Sequence, residues 1–237
     1  MLDSLVVLLR AAIFISVLQA AGVVLLLGLF RKNLTISKLS ICSLGKRAAF
    51  ISALTILVRY LIEPIRLTGS MTGIFDFSIH EFLITSGFGI TQFSRALGVI
   101  ILGISLLGHP NIREKTGLFG AILIVISFCF MGHTATSEQH WIISILLTVH
   151  VLLAAFWFGS LLPLHLISSL ETAAIAGKLI ENFSKVAIYT VPIILLAGLG
   201  MAILLLPSIN SLRTTYGMLL LSKIIGFAAL MCIAAFN

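Results

Sequence analysis

The stretch "DSLVVLLRAAIFISVLQAAGVVLLLGLF" (residues 3–30) determines the class of protein to which this chain belongs. About 20 consecutive apolar residues are needed for a helix to cross a hydrocarbon core about 30 Å thick, and this run is longer than that. A cleaved signal peptide would begin with basic residues and end at a small-x-small site, whereas this stretch begins with Asp3 and shows no such site. We therefore predict that it forms the first transmembrane helix.

The composition of the whole chain indicates the same class. Of its 237 residues, 59% are hydrophobic and 10% are charged, against about 45–50% and about 25% in a soluble domain. The net charge of +7 resides mainly in short loops, so we attribute it to membrane topology and expect lipid as a partner, and no nucleic acid. The three cysteines are far apart and predict no disulfide framework. We find no nucleophile triad or phosphate loop and predict that the protein is not an enzyme.

Hydrophobic runs recur along the chain and predict an all-α fold, a polytopic transmembrane helical bundle of about seven spans. The second and fourth runs are short, and we expect both to extend into their flanks. The predicted spans are Leu5–Phe30, Ala48–Ile62, Phe82–Leu107, Gly117–Met131, Trp141–Leu162, Val186–Leu206 and Tyr216–Phe236.

Basic residues in the loops predict the orientation. Loop 31–47 holds the densest basic cluster of the chain, which the positive-inside rule assigns to the cytoplasm. Alternation of the spans puts loops 108–116 and 163–185 on the same side. The N-terminus is then predicted outside and the C-terminus in the cytoplasm, with the outward loops being 63–81, 132–140 and 207–215.

Two segments of the chain resemble each other, "GFGITQFSRALGVIILGISL" (87–106) and "TYGMLLLSKIIGFAALMCIA" (215–234). We predict a single membrane domain (1–237) that contains a tandem repeat of two three-helix units, spans 1–3 and spans 5–7. The units cover 1–107 and 141–237, and a linking helix at 117–131 joins them. The alternative is chance similarity between apolar helices.

The repeat places two intramembrane basic residues, Arg95 and Lys223, at matching positions. A basic residue in a span is costly unless it snorkels to the interface or finds a partner. Two alternatives follow for these side chains. They snorkel from an outer turn, or they pair with an outer-face acid, for which the candidates are Glu63, Asp76 and Glu81.

A cluster of potential metal ligands lies at the predicted outer face. His133, His140 and His150 fall within eighteen residues, just after Cys129 and Met131. Neutral imidazole binds copper, zinc and haem iron, and sulfur ligands favour Cu(I). If the fourth helix continues to His133, Cys129 and His133 share one face of it. Each residue alone also fits an ordinary packing or interfacial role, so the prediction rests on the cluster.

Three motifs in the second half resemble the copper-resistance protein D (CopD) family. They are "HVLLAAFWFGSLLPL" (150–164), "FSKVAIYTVPIILLAGLGMAILLL" (183–206) and "TTYGMLLLSKIIGFAALMCIAAFN" (214–237). In this pattern His150 is followed seven residues later by Trp157-x-Gly159, and Gly132-His133 resembles the loop that enters the helix. The second glycine expected after Trp157 is Ser160 here.

The resemblance implies a copper-binding protein of the bacterial inner membrane that takes copper from the outer compartment toward the cytoplasm. His133, His150 and the Trp157-x-Gly159 motif match the family pattern, whereas Cys129, Met131 and His140 are additions from the cluster argument. The family also implies a small periplasmic copper-binding partner of the CopC type, which we expect to be a separate protein.

Three functions remain open from the sequence. The first is copper transport through an outer His133/His150 site, with Cu(I) as the species if sulfur participates and Cu(II) if only imidazoles do. The second is a membrane redox protein holding haem between histidines on facing helices. The third is a non-transporting assembly or sensor subunit that binds copper or a partner.

Overall fold

The structure is a computed structural model that describes residues 2–108, 110–206 and 209–235, and all regular elements in those ranges are helical. Side chains at 110–113, 133, 209, 212, 215–216 and 230–235 lie outside the description. The prediction of an all-α fold is confirmed. The α-helices of the described ranges are α1 (Leu2–Phe30), α2 (Ser37–Thr68), α3 (Phe77–Thr85), α4 (Gly87–Leu107), α5 (Pro110–Ile126), α6 (His133–Thr136), α7 (His140–Leu170), α8 (Ala173–Leu205) and α9 (Thr215–Ala235).

Five stretches of the described chain are long and apolar enough to cross a membrane: Leu2–Asn33, Ser37–Thr68, Gly87–Leu107, His140–Leu170 and Ala173–Leu205. They correspond to α1, α2, α4, α7 and α8. A shorter apolar helix covers Gly217–Ala229, within α9. The structure therefore supports a multi-pass architecture, and the count of seven spans stays a prediction.

Several predicted boundaries are wrong because the helices extend beyond the apolar runs. Loops 31–47 and 163–185 are mostly helical: α2 begins at Ser37, and only residues 171–172 separate α7 from α8. α8 has 33 residues, about 50 Å at 1.5 Å per residue, so its charged first turns continue past a hydrocarbon core of about 30 Å. The third predicted span is interrupted at Ser86, whose side chain caps α4 by accepting a hydrogen bond from the Gly89 amide.

α1 lies at the centre of the bundle. Every residue from Ser16 to Val24 is buried, so this part of the helix is covered on all sides. α1 packs against α2, α4, α5 and α7. Since lipid could satisfy an apolar helix equally well, close packing is what favours this arrangement over separate helices.

Two glycines allow α1 and α7 to cross in backbone contact. A Cβ added at Gly22 would lie 2.1 Å from the Ala155 carbonyl oxygen and 2.5 Å from the Gly159 Cα, and one added at Gly159 would lie 2.6 Å from the Gly22 Cα. The Gln19 Nε2 atom donates a hydrogen bond of 2.8 Å to the Gly159 carbonyl oxygen at the same place. Gly98 and Gly120 make a second crossing of this kind between α4 and α5.

One end of the bundle, which we call the basic end, gathers Arg31, Lys32, Glu114 and Glu171. An ion pair joins Arg31 to Glu114 at the start of α5, and Glu171 contacts Thr35 and Ser37 at the start of α2. The structure thus brings together the three segments that the sequence places on one side of the membrane. That this side is the cytoplasm stays a prediction.

Glu171 joins the end of α7 to the connection between α1 and α2. Its carboxylate accepts four hydrogen bonds of 2.5–3.0 Å, from the backbone amides and the hydroxyls of Thr35 and Ser37. Desolvation raises the pKa of Glu171, but the hydrogen bonds from Ser37 and Thr35 outweigh it and lower the pKa to about 2. The ionised carboxylate therefore stabilises this junction.

The other end of the bundle holds a buried ion-pair network on α2. The Glu63 carboxylate lies between the guanidinium groups of Arg59 and Arg66, and Arg66 also reaches Asp3 at the start of α1. Glu63 and Arg59 are 6% and 3% exposed. Each charge is thus compensated where an unpaired one would be expensive.

Substituting Gly22 with alanine should disrupt the α1–α7 crossing, because the new methyl group would overlap the backbone of α7. Overpacking of this kind costs about 1–3 kcal/mol, which should lower the melting temperature of the detergent-solubilised protein by several degrees. Gly28→Ala, in the same helix but with no atom within 4 Å of its added Cβ, is the matched control. Equal melting temperatures for the two variants would contradict the crossing.

Stability should fall with acidification as Glu171 becomes protonated. Because its pKa is about 2 in the folded protein against an ordinary 4.5, its contribution is fully present above about pH 4.5 and is lost as the pH falls toward 2. Thermal melts at pH 7 and across this window should show that Glu171→Gln is less stable at pH 7 and has a flatter acid profile. Glu138→Gln, at an exposed position between α6 and α7, should keep the wild-type profile; a wild-type profile in Glu171→Gln would contradict the assignment.

Candidate functional site

His150 lies on α7 with its imidazole against α8. Its Nδ1 atom is 3.0 Å from the Ile194 carbonyl oxygen, and a carbonyl only accepts, so Nδ1 carries the proton. When the ring is neutral its lone pair is on Nε2, which is the tautomer and hydrogen-bonding arrangement of a metal-binding histidine. Gly198 makes room for the ring, since a Cβ there would lie 3.2 Å from the His150 Cε1 atom.

Trp157 continues the α7–α8 contact two turns further toward the basic end. Its Nε1 atom donates a hydrogen bond of 3.0 Å to the Thr190 hydroxyl oxygen, and its ring meets that of Phe183 edge-on at 5.6 Å. Gly159 faces α1 at the crossing described above. The Trp157-x-Gly159 motif therefore holds α7 against two different helices, and we call the His150 and Trp157 contacts with α8 the α7–α8 seam.

Cys129 lies on another side of α7 from His150. α5 ends at Ile126, a 3₁₀ turn covers Ser127–Phe130, and the Cys129 sulfur is 3.5 Å from the Ser144 carbonyl and the Thr148 hydroxyl. Positions 148 and 150 are about 200° apart around a helix. The thiol and the imidazole are thus directed to different neighbours.

The remaining predicted ligands, Met131, His133 and His140, follow Cys129 in the chain. The condition under which Cys129 and His133 would share a helical face is not met, because Gly132 adopts φ +77° and His133 begins the separate helix α6. α6 packs against α7 and the turn at 127–130. The His133 side chain lies outside the description. Met131 is exposed, and His140, also exposed, is about 15 Å from His150 along α7. No group of three metal-binding side chains occurs among the described residues.

The two matched basic residues have different surroundings. Arg95 is 9% exposed; its Nε donates to the Ser127 hydroxyl at 3.1 Å, and its guanidinium lies 4.4 Å from the centre of the Phe128 ring. Within the described ranges it makes no ion pair with Glu63, Asp76 or Glu81, and Glu63 instead pairs with Arg59 and Arg66. Lys223 is exposed on α9.

Several buried polar residues were not predicted from the sequence. Arg59 and Glu63 are four residues apart on α2, a spacing that places them on one helical face and that could have revealed the pair. Gln92 and Ser160 are buried, and the Gln92 Oε1 and Ser160 Oγ atoms lack a hydrogen-bond partner. When a single polar residue lies in an apolar run, the sequence does not indicate which group it will contact.

These features define a multi-pass helical membrane protein with ionisable groups inside its spans. Residues 1–141 match the family described as Copper resistance protein D-like, N-terminal domain, and residues 177–237 match Copper resistance protein D. The chain belongs to the copper resistance protein D family, as its motifs predicted.

One curated relative shows how far the similarity extends. The copper transport protein CutJ of Bacillus subtilis (strain 168) is 28% identical over 159 residues, which cover 61% of this chain and 29% of the relative. The matched region is thus less than a third of CutJ. No solved structure matches the chain.

Removing the hydrogen bond between Trp157 and Thr190 should loosen the α7–α8 seam. In a double-mutant cycle of Trp157→Phe and Thr190→Val, followed by thermal denaturation in detergent, we expect a coupling energy of about 0.6 kcal/mol, typical of interhelical hydrogen bonds in membranes. The Thr190 hydroxyl also donates a hydrogen bond to the Val186 carbonyl of its own helix. Thr55 makes the same kind of bond, to the Ile51 carbonyl, and therefore serves as the control in a Trp157→Phe/Thr55→Val cycle. A coupling energy equal to that of the control cycle would contradict the hydrogen bond between Trp157 and Thr190.

Proposed function

We propose that this protein transfers copper across the bacterial inner membrane from the side on which α7 begins. Membership of the copper resistance protein D family supports copper as the cargo, and the similarity to a copper transport protein supports transfer. The observation that carries the proposal is the His150 imidazole, whose Nδ1 proton is fixed by the Ile194 carbonyl so that Nε2 is left to bind a cation.

Copper would pass two positions in this proposal. His133 and His140, near the start of α7, form the outer position, where copper arrives from a periplasmic CopC-type donor. His150 forms the inner position, about 15 Å deeper than His140. Two imidazoles at one position favour Cu(II), whereas participation of Met131 or Cys129 favours Cu(I).

The bundle offers a seam along which a cargo could move. α8 packs against α7, and the hydrogen bonds from His150 and Trp157 to α8 lie along that contact. Pro192, between the two acceptors on α8, removes one backbone hydrogen bond of its helix. If the chain is a tandem repeat of three-helix units across seven spans, α7 and α8 correspond to α1 and α2, and the contact of Gly22 with Gly159 lies between the two units.

Copper binding by the purified full chain tests the proposal. Wild-type protein should retain stoichiometric copper after dialysis, and His150→Gln and His133→Ala should each lose most of it. His80→Gln is the control, because both His80 ring nitrogens already have partners in the Tyr60 hydroxyl and the Ile74 carbonyl. A wild-type protein without copper, or equal loss in the His80 variant, would overturn the site.

Two further measurements separate the alternative functions. Uptake of copper into vesicles that contain the protein should exceed that of the His150→Gln variant; binding without uptake would favour an assembly or sensor subunit. A Soret band in the optical spectrum of the same preparation would favour the haem protein.

A further inference from the structure

A cleft of about 220 Å³ opens at the basic end of the bundle, between the 3₁₀ turn Arg31–Asn33 and the first turns of α8. It is lined by Asn33, Ile175, Lys178 and Leu179. Since a water molecule occupies about 30 Å³ in the liquid, the cleft has room for about seven waters. We take this volume to be enough for a phosphodiester group that carries one small substituent.

The cleft lies on the charged side of the apolar segments of α1 and α8. The apolar run of α1 ends at Phe30, and the rings of Phe30 and Phe183 are in contact with centroids 6.5 Å apart. On α8, the 20 residues from 186 to 205 carry no charge and span about 30 Å, the thickness of the hydrocarbon core. Measured from the contact of Phe30 with Phe183, Asn33 lies three residues further along the chain. Lys178 lies five residues before Phe183, about 7.5 Å along α8 toward the basic end.

The charges around the cleft favour an anion. Lys178 makes no ion pair within the described ranges, because the acid three residues further along α8, Glu181, is bound to Lys185 at 2.7 Å. The neighbouring acid Glu171 is occupied by Thr35 and Ser37. Lys32 is exposed on the same 3₁₀ turn as Asn33. A cation and an amide thus line the cleft, and no carboxylate is among its lining residues. Glu181 also attracts Lys178, but its carboxylate is paired with Lys185.

The cleft also has an apolar side at the half-buried Ile175, with the fully buried Leu179 beneath it. We propose that this cleft binds the headgroup of an anionic phospholipid, with the phosphate at Lys178 and Asn33 and the beginning of an acyl chain over Ile175. Basic clefts between transmembrane helices are suited to such headgroups. The bound lipid would fill the space between α1 and α8 at the basic end.

Native mass spectrometry of the detergent-solubilised full chain tests this assignment. Titration with phosphatidylglycerol should give a saturable 1:1 adduct, whereas phosphatidylcholine should bind at least several-fold more weakly. Lys178→Gln should weaken phosphatidylglycerol binding about fivefold, the equivalent of about 1 kcal/mol for one basic residue at an anionic headgroup. Asn33→Ala, from the other wall, should also weaken it.

Lys46→Gln is the control, because it removes the same charge from an exposed position on α2 that does not line the cleft. Glycerol phosphate at millimolar concentration should fail to displace the lipid, since it lacks the acyl chain. Equal effects of Lys46→Gln and Lys178→Gln, equal binding of phosphatidylcholine, or displacement by glycerol phosphate would each overturn the proposal. The copper content of Lys178→Gln should equal that of wild type, which separates this inference from the proposed function.

Discussion

The contact of α1 with α7 at Gly22 and Gly159 is the constraint on which the rest of the bundle depends. It joins the two halves of the chain through their backbones, with no side chain between them. Apolar side chains gain little from leaving lipid, so the gain comes from dispersion contacts at short range and from the hydrogen bond that Gln19 makes to Gly159. α2, α4 and α5 then pack around α1, and α8 packs on α7.

The α7–α8 seam follows from this arrangement. Because α1 holds one face of α7 through Gly159, the face with His150 and Trp157 is turned toward α8, where Ile194 and Thr190 accept their hydrogen bonds. Polar side chains inside a span are expensive without partners. Here both partners belong to α8, so the same bonds that orient the imidazole also hold the helix in place.

Hydropathy predicted the helical class and the long spans, because the length of an apolar run must match the thickness of the membrane. It predicted the ends of the helices poorly. The predicted ends at Ile62 and Leu162 lie shortly before a proline, Pro64 and Pro163, yet both helices continue. At Pro163 the freed carbonyl, that of Gly159, accepts the hydrogen bond from Gln19 on α1. His150 was singled out by the histidine cluster, and His150 and Trp157 together by the resemblance to the CopD family. Their acceptors were not, because a carbonyl such as that of Ile194 carries no sequence signal.

The hydrogen bond from Gln19 to Gly159 joins residues 140 positions apart in the chain, and this separation has a consequence for biogenesis. A ribosome adding about 5–20 residues per second needs about 7–28 seconds between the two. During that interval the amide of Gln19 is in the membrane without its final acceptor, and the glycine surface of α1 is open to lipid or to other nascent helices. α2, α4 and α5, which also pack against α1, are all made before α7. The order of synthesis therefore lets α1 meet these three helices before it meets α7.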